Sequence, residues 1–580
     1  MRKLFLIPLV AIALLAVACG EAVVPAGDTS PEPDAAQAVA AAQSNESAAR
    51  DSDSEPAQAP APEVKEPSSS AAVEPADTET PGGVFRRLWS DPPTLDPHLT
   101  SDTTSAAIVV EVFSGLITID LDLKLAPDIA ESWDISPDGT VYTFYIRPNA
   151  KFHDGRSVTA EDFVYSINRA ASPLTASPTA DTYIGDIVGV RDVLAGRADR
   201  VSGIKAIDDK TLQITIDAPK AYFLAKLTYP TAFVVDKNQV ESDPSWTDSP
   251  NGTGPFILRE YKVGERIILD RFADYYLEPA KIDQVRMNLA GGQAMAMYEN
   301  DEIDITGVGL FDLDRLRDPN EPLSKDLRIA PPGFSVSYIG LNPEEPPFDD
   351  VKFRRALNFA IDKELIADEV LAGLRVPAYG ILPPGFPGFN PELEGLKFNP
   401  ELARELLAES AYADPDTRPR IVITVPGTGG NIGLDLEVIL EMWRQNLGVE
   451  VEIQQVEWAT YLQDLNRKRF QAFGGLAWQA DYPDPQDFLD ILFHSESETN
   501  HGGYSNPEVD RLLEQARVEI DTGKRIKLYH EAERMIVEDA AWVPLWYTGE
   551  RHLLLKPYIK GYALTPMTIP KLRHVYIEDN

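Results

Sequence analysis

The chain has 580 residues and carries 92 acidic against 53 basic side chains, a formal net charge of -39. Nucleic-acid backbones are bound through a surplus of Lys and Arg, so this balance excludes a nucleic-acid-binding protein. The length exceeds what one hydrophobic core serves, so two or three lobes are expected.

Chain order begins with an export signal. Arg2 and Lys3 form a positive n-region, Leu4 to Leu15 an apolar h-region, and the small residues Ala16 and Ala18 precede Cys19. The apolar stretch is shorter than the roughly 20 residues of a spanning helix. Cys19 is the only cysteine, which excludes an internal disulfide. Leu15 to Cys19 resembles a bacterial lipobox. That resemblance implies a signal peptide over 1–18, cleavage before Cys19 and lipidation of its thiol, and several acyl chains hold a protein stably at a membrane. Residues 19–81 then read as a disordered tether. From Gly20 to about Thr80 they are mostly Ala, Pro, Ser, Glu and Asp with almost no large apolar residue, and carry thirteen acids against Arg50 and Lys65. Such a composition cannot bury enough apolar surface to offset its ordering entropy.

Ordered patterning starts at Gly82-Gly83-Val84. Thr140 to Arg147 is β-branched and aromatic, hence a strand, with Asp138-Gly139 as the turn before it. Val201 to Ile216 reads as a hairpin turning at Asp208 to Lys210. Asp349-Asp350 precede a helix with Phe353, Ala356, Leu357, Ala360 and Ile361 on one stripe. Asn399-Pro400 supplies an N-cap and an N1 proline for the next helix. Ile421 to Val425, a helix ended by Gly448, and Val449 to Val456 form a β-α-β unit, which requires a parallel strand pair. A helix from about Lys524 to Glu538 leads into an apolar strand from Trp542 to Tyr547. The body from about 82 to 580 is therefore α/β or α+β.

Enzyme signatures are absent: there is no HExxH, no phosphate-binding GxxxxGK[ST] and no GxSxG. Gly427 to Gly430 lacks the lysine of a phosphate loop and reads as a tight turn. The histidines are scattered. His494 and His501 are neighbours in sequence without helical spacing or a cysteine partner, so no metal site and no cofactor are expected.

Five segments, in order, resemble the family 5 extracytoplasmic solute-binding proteins of bacterial ABC importers, the oligopeptide- and dipeptide-binding type. They are Pro93 to Pro97; Pro127 to Trp133 running through Arg147 to Lys151-Phe152-His153-Asp154-Gly155 and on to Ser166; Gly252 to Phe256 with Arg271 to Tyr276; Tyr338 to Asn342 with Pro347 to Leu357; and Trp478 to Pro485. Most of these positions suit turns and half-buried strands. The resemblance implies a two-lobed α/β fold of the periplasmic-binding-protein kind (type II, cluster C) with an extra inserted domain. Lobe I is expected from 82–125, 242–335 and 546–580, inserted domain II from 126–241, and lobe III from 336–545. Hinges are expected near Tyr338 to Asn342 and Leu545 to Tyr547.

The same resemblance assigns the ligand's α-ammonium to Asp481, with Trp478, Gln479 and Tyr482 around it and Tyr338 and Asn342 on a strand, 334–342, that hydrogen-bonds an extended ligand backbone. Some family members place an arginine just before the tryptophan. Phe473 to Ala477 has none here, and the nearest cations, Arg467, Lys468 and Arg469, read as a solvated helix end. The resemblance further implies a monomeric, non-catalytic receptor outside the cytoplasm, serving permease and ATPase subunits. Other solutes stay open: a sugar stacked on Trp458, Trp478 or Trp89, or a nickel chelate held by histidines. A secreted hydrolase lacks any identifiable nucleophile or metal.

Overall fold

The computed structural model describes residues 82–567, 569 and 571–578. The signal, Cys19 and the tether lie outside the described residues. Strands that are remote in sequence assemble into a seven-stranded sheet: Val84–Leu88, Phe256–Lys262, Arg266–Arg271, Gln284–Asn288, Ile305–Gly307, Leu327–Ala330 and Arg551–Leu555. Val84–Leu88 lies at its centre, parallel to Gln284–Asn288. A four-stranded antiparallel sheet follows the chain more locally, from Ala130–Ile135 and Val141–Ile146 to Ile204–Asp208 and Thr211–Thr215.

The third sheet has six strands in the spatial order Arg375–Pro377, Trp542–Thr548, Ser335–Leu341, Ala472–Gln479, Ile421–Pro426, Val451–Val456. Ile421–Pro426 and Val451–Val456 pair in parallel, with Ile421 opposite Val451, across the helix Leu434–Leu447. That is the geometry a β-α-β unit dictates. Gly448 ends the helix at φ 61°, a conformation that costs a residue without Cβ little.

Local chemistry explains the elements. Tyr142, Phe144 and Ile146 are buried on one face of their strand, the period-2 pattern of a half-covered sheet. Asp350 accepts from Lys352 N to cap Val351–Phe359, and Asn399 accepts from Leu402 N ahead of Pro400. Each sheet has its own apolar core.

The chain passes from the seven- to the six-stranded sheet through 331–334 and returns through 549–550. This displaces the expected hinges. Tyr338 to Leu341 belong to a buried strand paired on both sides, and Leu545 to Tyr547 pair with that strand's neighbourhood. Backbone locked in two ladders cannot absorb a hinge rotation, whereas the short connections can.

Candidate functional site

Residues from all three sheets' segments meet around a cavity of about 260 Å³. One wall is the end of the strand Ala472–Gln479 and the turn after it. This strand pairs along one edge with Ser335–Leu341, Ser335 opposite Gln479 and Leu341 opposite Ala472. Along its other edge it meets Ile421–Pro426 only at Ala472 and Phe473. From Gly475 to Gln479, then, one row of backbone groups faces the cavity unpaired. Gly475 takes φ 70°, a left-handed turn suited to glycine, as the strand leaves the sheet.

Ser335–Leu341 itself has neighbours on both sides. The expectation that 334–342 pairs with a ligand backbone is corrected accordingly: the free edge belongs to the next strand, 472–479.

Asp481 sits at the head of that wall. Its carboxylate accepts from the Tyr183 hydroxyl, and its backbone N–H donates to Asp487 Oδ2 at 3.0 Å. Burial pushes the Asp481 carboxyl up to about 7, opposed only in part by the Tyr183 hydrogen bond. Asp487, fully buried, is pushed up too, by desolvation first and by the Asp481 charge second. Two carboxyl groups sharing a dry corner cannot both ionise without a cation, and no Lys or Arg pairs with either among the described residues. Their neighbours Asp484 and Asp490 are each neutralised, by Arg525 at 2.6 Å and Arg517 at 2.7 Å. The contrast leaves Asp481, on the cavity wall, and Asp487 behind it as neighbouring carboxyls without a cation among the described residues.

The other expected residues separate into two groups. Trp478, Gln479 and Tyr338 line the cavity. Gln479 Nε2 is buried without a hydrogen bond, as is Trp458 Nε1 across the same wall, while the Trp478 side chain lies against the Asp487 carboxyl and lowers it in part. Buried donors left open in a cleft await acceptors. Tyr338 contributes its ring while stacked on Trp542 at 3.4 Å. Tyr482 and Asn342 do not line it. The Tyr482 hydroxyl turns inward to Gln486, and its ring meets Tyr183 edge-on. Asn342 closes the loop after its strand, donating to Phe470 O at 3.3 Å and accepting from Glu344 N at 3.0 Å. Arg467, Lys468, Arg469 and Trp89 are likewise outside the cavity wall, while Trp458 and His501 are in it. His494 lies beside a separate polar cavity. Among the described residues no group of three or more His, Cys, Asp or Glu is placed to hold a metal ion.

Sequence reasoning missed the residues that remote segments bring to Asp481 and to the cavity, Tyr229 and Asp102 among the lining. Tyr183, from the short helix Ala180–Ile184, stacks on Tyr229 with centroids 3.6 Å apart, and both pack into the core of the six-stranded lobe. Asp102 caps the helix Thr103–Val112 through Oδ1 and leaves Oδ2 buried without a partner beside the cavity. Nothing in the local sequence marks these residues; only the meeting of remote segments does.

Lobes joined by two short connections around a mainly apolar cleft with a few polar groups define an α/β solute-binding protein of the two-lobed, type II kind. The chain belongs to the bacterial extracellular solute-binding proteins, family 5, whose family model ("Middle") matches residues 124–500. It is 32% identical to the periplasmic oligopeptide-binding protein OppA of Escherichia coli over 87% of this chain and 94% of that one. It is 34% identical to the probable deoxycholate-binding periplasmic protein YgiS of Escherichia coli over 88% and 96%. The solved Escherichia coli murein tripeptide binding protein MppA superposes with a TM-score of 0.78 at 28% identity, covering 87% of this chain and 99% of that one. The unliganded open form of MppA, 28% identical and covering 87% and 98%, reaches only 0.62, so the lobes here are not arranged as in that open form.

Proposed function

We propose that the protein is the lipid-anchored receptor of an ABC importer, capturing short peptides between its lobes and delivering them to a membrane permease. The observation that carries this reading is the uncompensated Asp481–Asp487 pair at the head of a strand with a free edge. An α-ammonium supplies the missing cation, and the peptide backbone behind it pairs with 475–479 as an added strand. Open donors on Gln479 and Trp458 match peptide carbonyls. Side chains then project into mainly apolar cavity walls, which tolerates sequence variety. The kinship with peptide-binding relatives supports the same ligand class.

On this reading each large sheet is the core of one lobe, with 126–241 as the inserted domain, and the monomer is the working unit. The tether over 19–81 gives the folded body reach from an anchor at Cys19. Cys19→Ser is expected to release the protein from the membrane fraction, and retention there contradicts the anchor.

A second reading is an amphipathic non-peptide solute, favoured by the apolar walls and by the deoxycholate-binding relative. Native mass spectrometry of the purified protein before and after gentle ligand release separates the two. A ladder of peptide masses is the expected result. One recurring non-peptide mass overturns the peptide assignment.

A further inference from the structure

The cavity wall far from Asp481 in the chain is built by the C-terminal segment. Among the described residues lining the cavity, two are Lys or Arg: Lys571 and Arg573. They also line an adjoining cavity of about 290 Å³, which shares Thr118 to Leu121 with the first, so they stand where the two spaces meet.

Neither cation is within ion-pair distance of a carboxylate among the described residues. Lys571 Nζ donates to the Thr118 hydroxyl, and Arg573 Nε donates to His574 Nε2 at 3.3 Å, with its guanidinium 6.0 Å from the Tyr275 ring. Their acidic neighbours are already engaged elsewhere. Glu111 Oε1 accepts from Leu572 N at 2.7 Å, and Asp128 Oδ1 accepts from the Tyr276 hydroxyl at 2.5 Å. Burial pushes both carboxyls up, Glu111 to about 7, so they offset the two cations only in part. The same burial pulls Lys571 down, and an anion beside it reverses that cost. Asp120 lines both cavities and is the remaining acid nearby. Half-buried cations without ion pairs, facing a cavity, are positioned for a ligand to complete them.

We propose, resting on the peptide reading above, that Lys571 and Arg573 bind the carboxylate of the solute, making the cleft dipolar: carboxylates for the amine on one wall, cations for the acid on another. Gly474, Gly475, Leu476 and Ala477, on the wall before Trp478, supply no cation, which leaves the C-terminal segment to supply it.

The test is calorimetric titration of the full protein with alanyl-leucyl peptides of three to five residues, each as free acid and as C-terminal amide. A second set carries an aspartate side chain on the amidated peptide, which distinguishes a terminal from a side-chain carboxylate. Free acids are expected to bind at least tenfold more tightly than amides, with the aspartyl amide recovering part of the loss if a side chain reaches the site. Lys571→Met and Arg573→Met are each expected to shrink the acid–amide difference severalfold, and Arg573→Lys to retain most of it, which separates charge from folding. Acids and amides binding equally well overturn this inference and leave the peptide reading standing. Absence of binding by every peptide form overturns both.

Discussion

Asp481 owes its behaviour to what surrounds it. Its carboxyl is raised toward 7 by desolvation, beside a second raised carboxyl, and the proposed amine site rests on that pair. The sign of its pH dependence follows. In the solute-free protein the pair keeps protons that an unfolded chain releases near pH 4. Between that pH and neutrality the folded state binds more protons, so this pair's contribution to stability falls as pH rises through the window. Binding of an ammonium requires the ionised form. Affinity for an amine-bearing peptide is therefore expected to fall on acidification from pH 7 to pH 5, approaching about tenfold per unit for each proton that must leave. Glu111, also near 7, titrates in the same cleft, so the comparison with Asp481→Asn isolates the effect. His501, pulled down to about 4 by burial, stays silent in that window. Calorimetry across this range checks the slope, and equal slopes in wild type and Asp481→Asn contradict the role assigned to the pair.

At the scale of elements, the binding wall depends on close approach between two strands. Gly340 lies against the Phe473 ring, and an added Cβ there meets ring carbons at 2.1 to 2.5 Å. Gly340→Ala is expected to displace Phe473 and cost about 1–3 kcal/mol of stability, visible as a lowered melting temperature with weakened peptide binding. An unchanged melting temperature contradicts this packing argument. Periodic elements were legible from sequence because their pattern is local. The strand at Tyr142 to Ile146, the capped helices after Asp350 and Asn399 and the parallel pair around Leu434–Leu447 stand where alternation, caps and the Gly448 stop place them. The pairing of strands was not legible. Ser335–Leu341 has the same apolar pattern whether it is an edge or a centre, so sequence could not say that its neighbour 472–479 carries the free edge. The Trp478 to Asp481 turn was found through family resemblance. Tyr183, Asp487, Lys571 and Arg573 were not, since their roles arise from distant segments brought together in three dimensions.

For the whole molecule, the proposed opening and closing turns on two short connections and on hydrogen bonds between the inserted segment and the six-stranded sheet's segments. Tyr183 reaches Asp481 from the inserted segment, and the hydroxyls of Thr182 and Thr499 meet at 3.1 Å. Tyr183→Phe removes a hydrogen bond to a buried carboxyl, an interaction of about 1.5–3 kcal/mol. It is expected to shift the solute-free ensemble toward opening. Small-angle scattering should then give a larger radius of gyration for the variant than for wild type without solute, and the two should converge when peptide is saturating. Identical radii without solute contradict the latch.

The central claim, that Asp481 receives the amine of the solute, is tested most directly by titrating one peptide in free-amine and N-acetylated forms into wild type and Asp481→Asn. Breaking a buried charge pair typically costs about 2–5 kcal/mol. The free amine is therefore expected to lose at least about thirtyfold in affinity in the variant, while the acetylated peptide, already weak, changes little. Equal losses for both forms would place the amine elsewhere and remove Asp481 from the site.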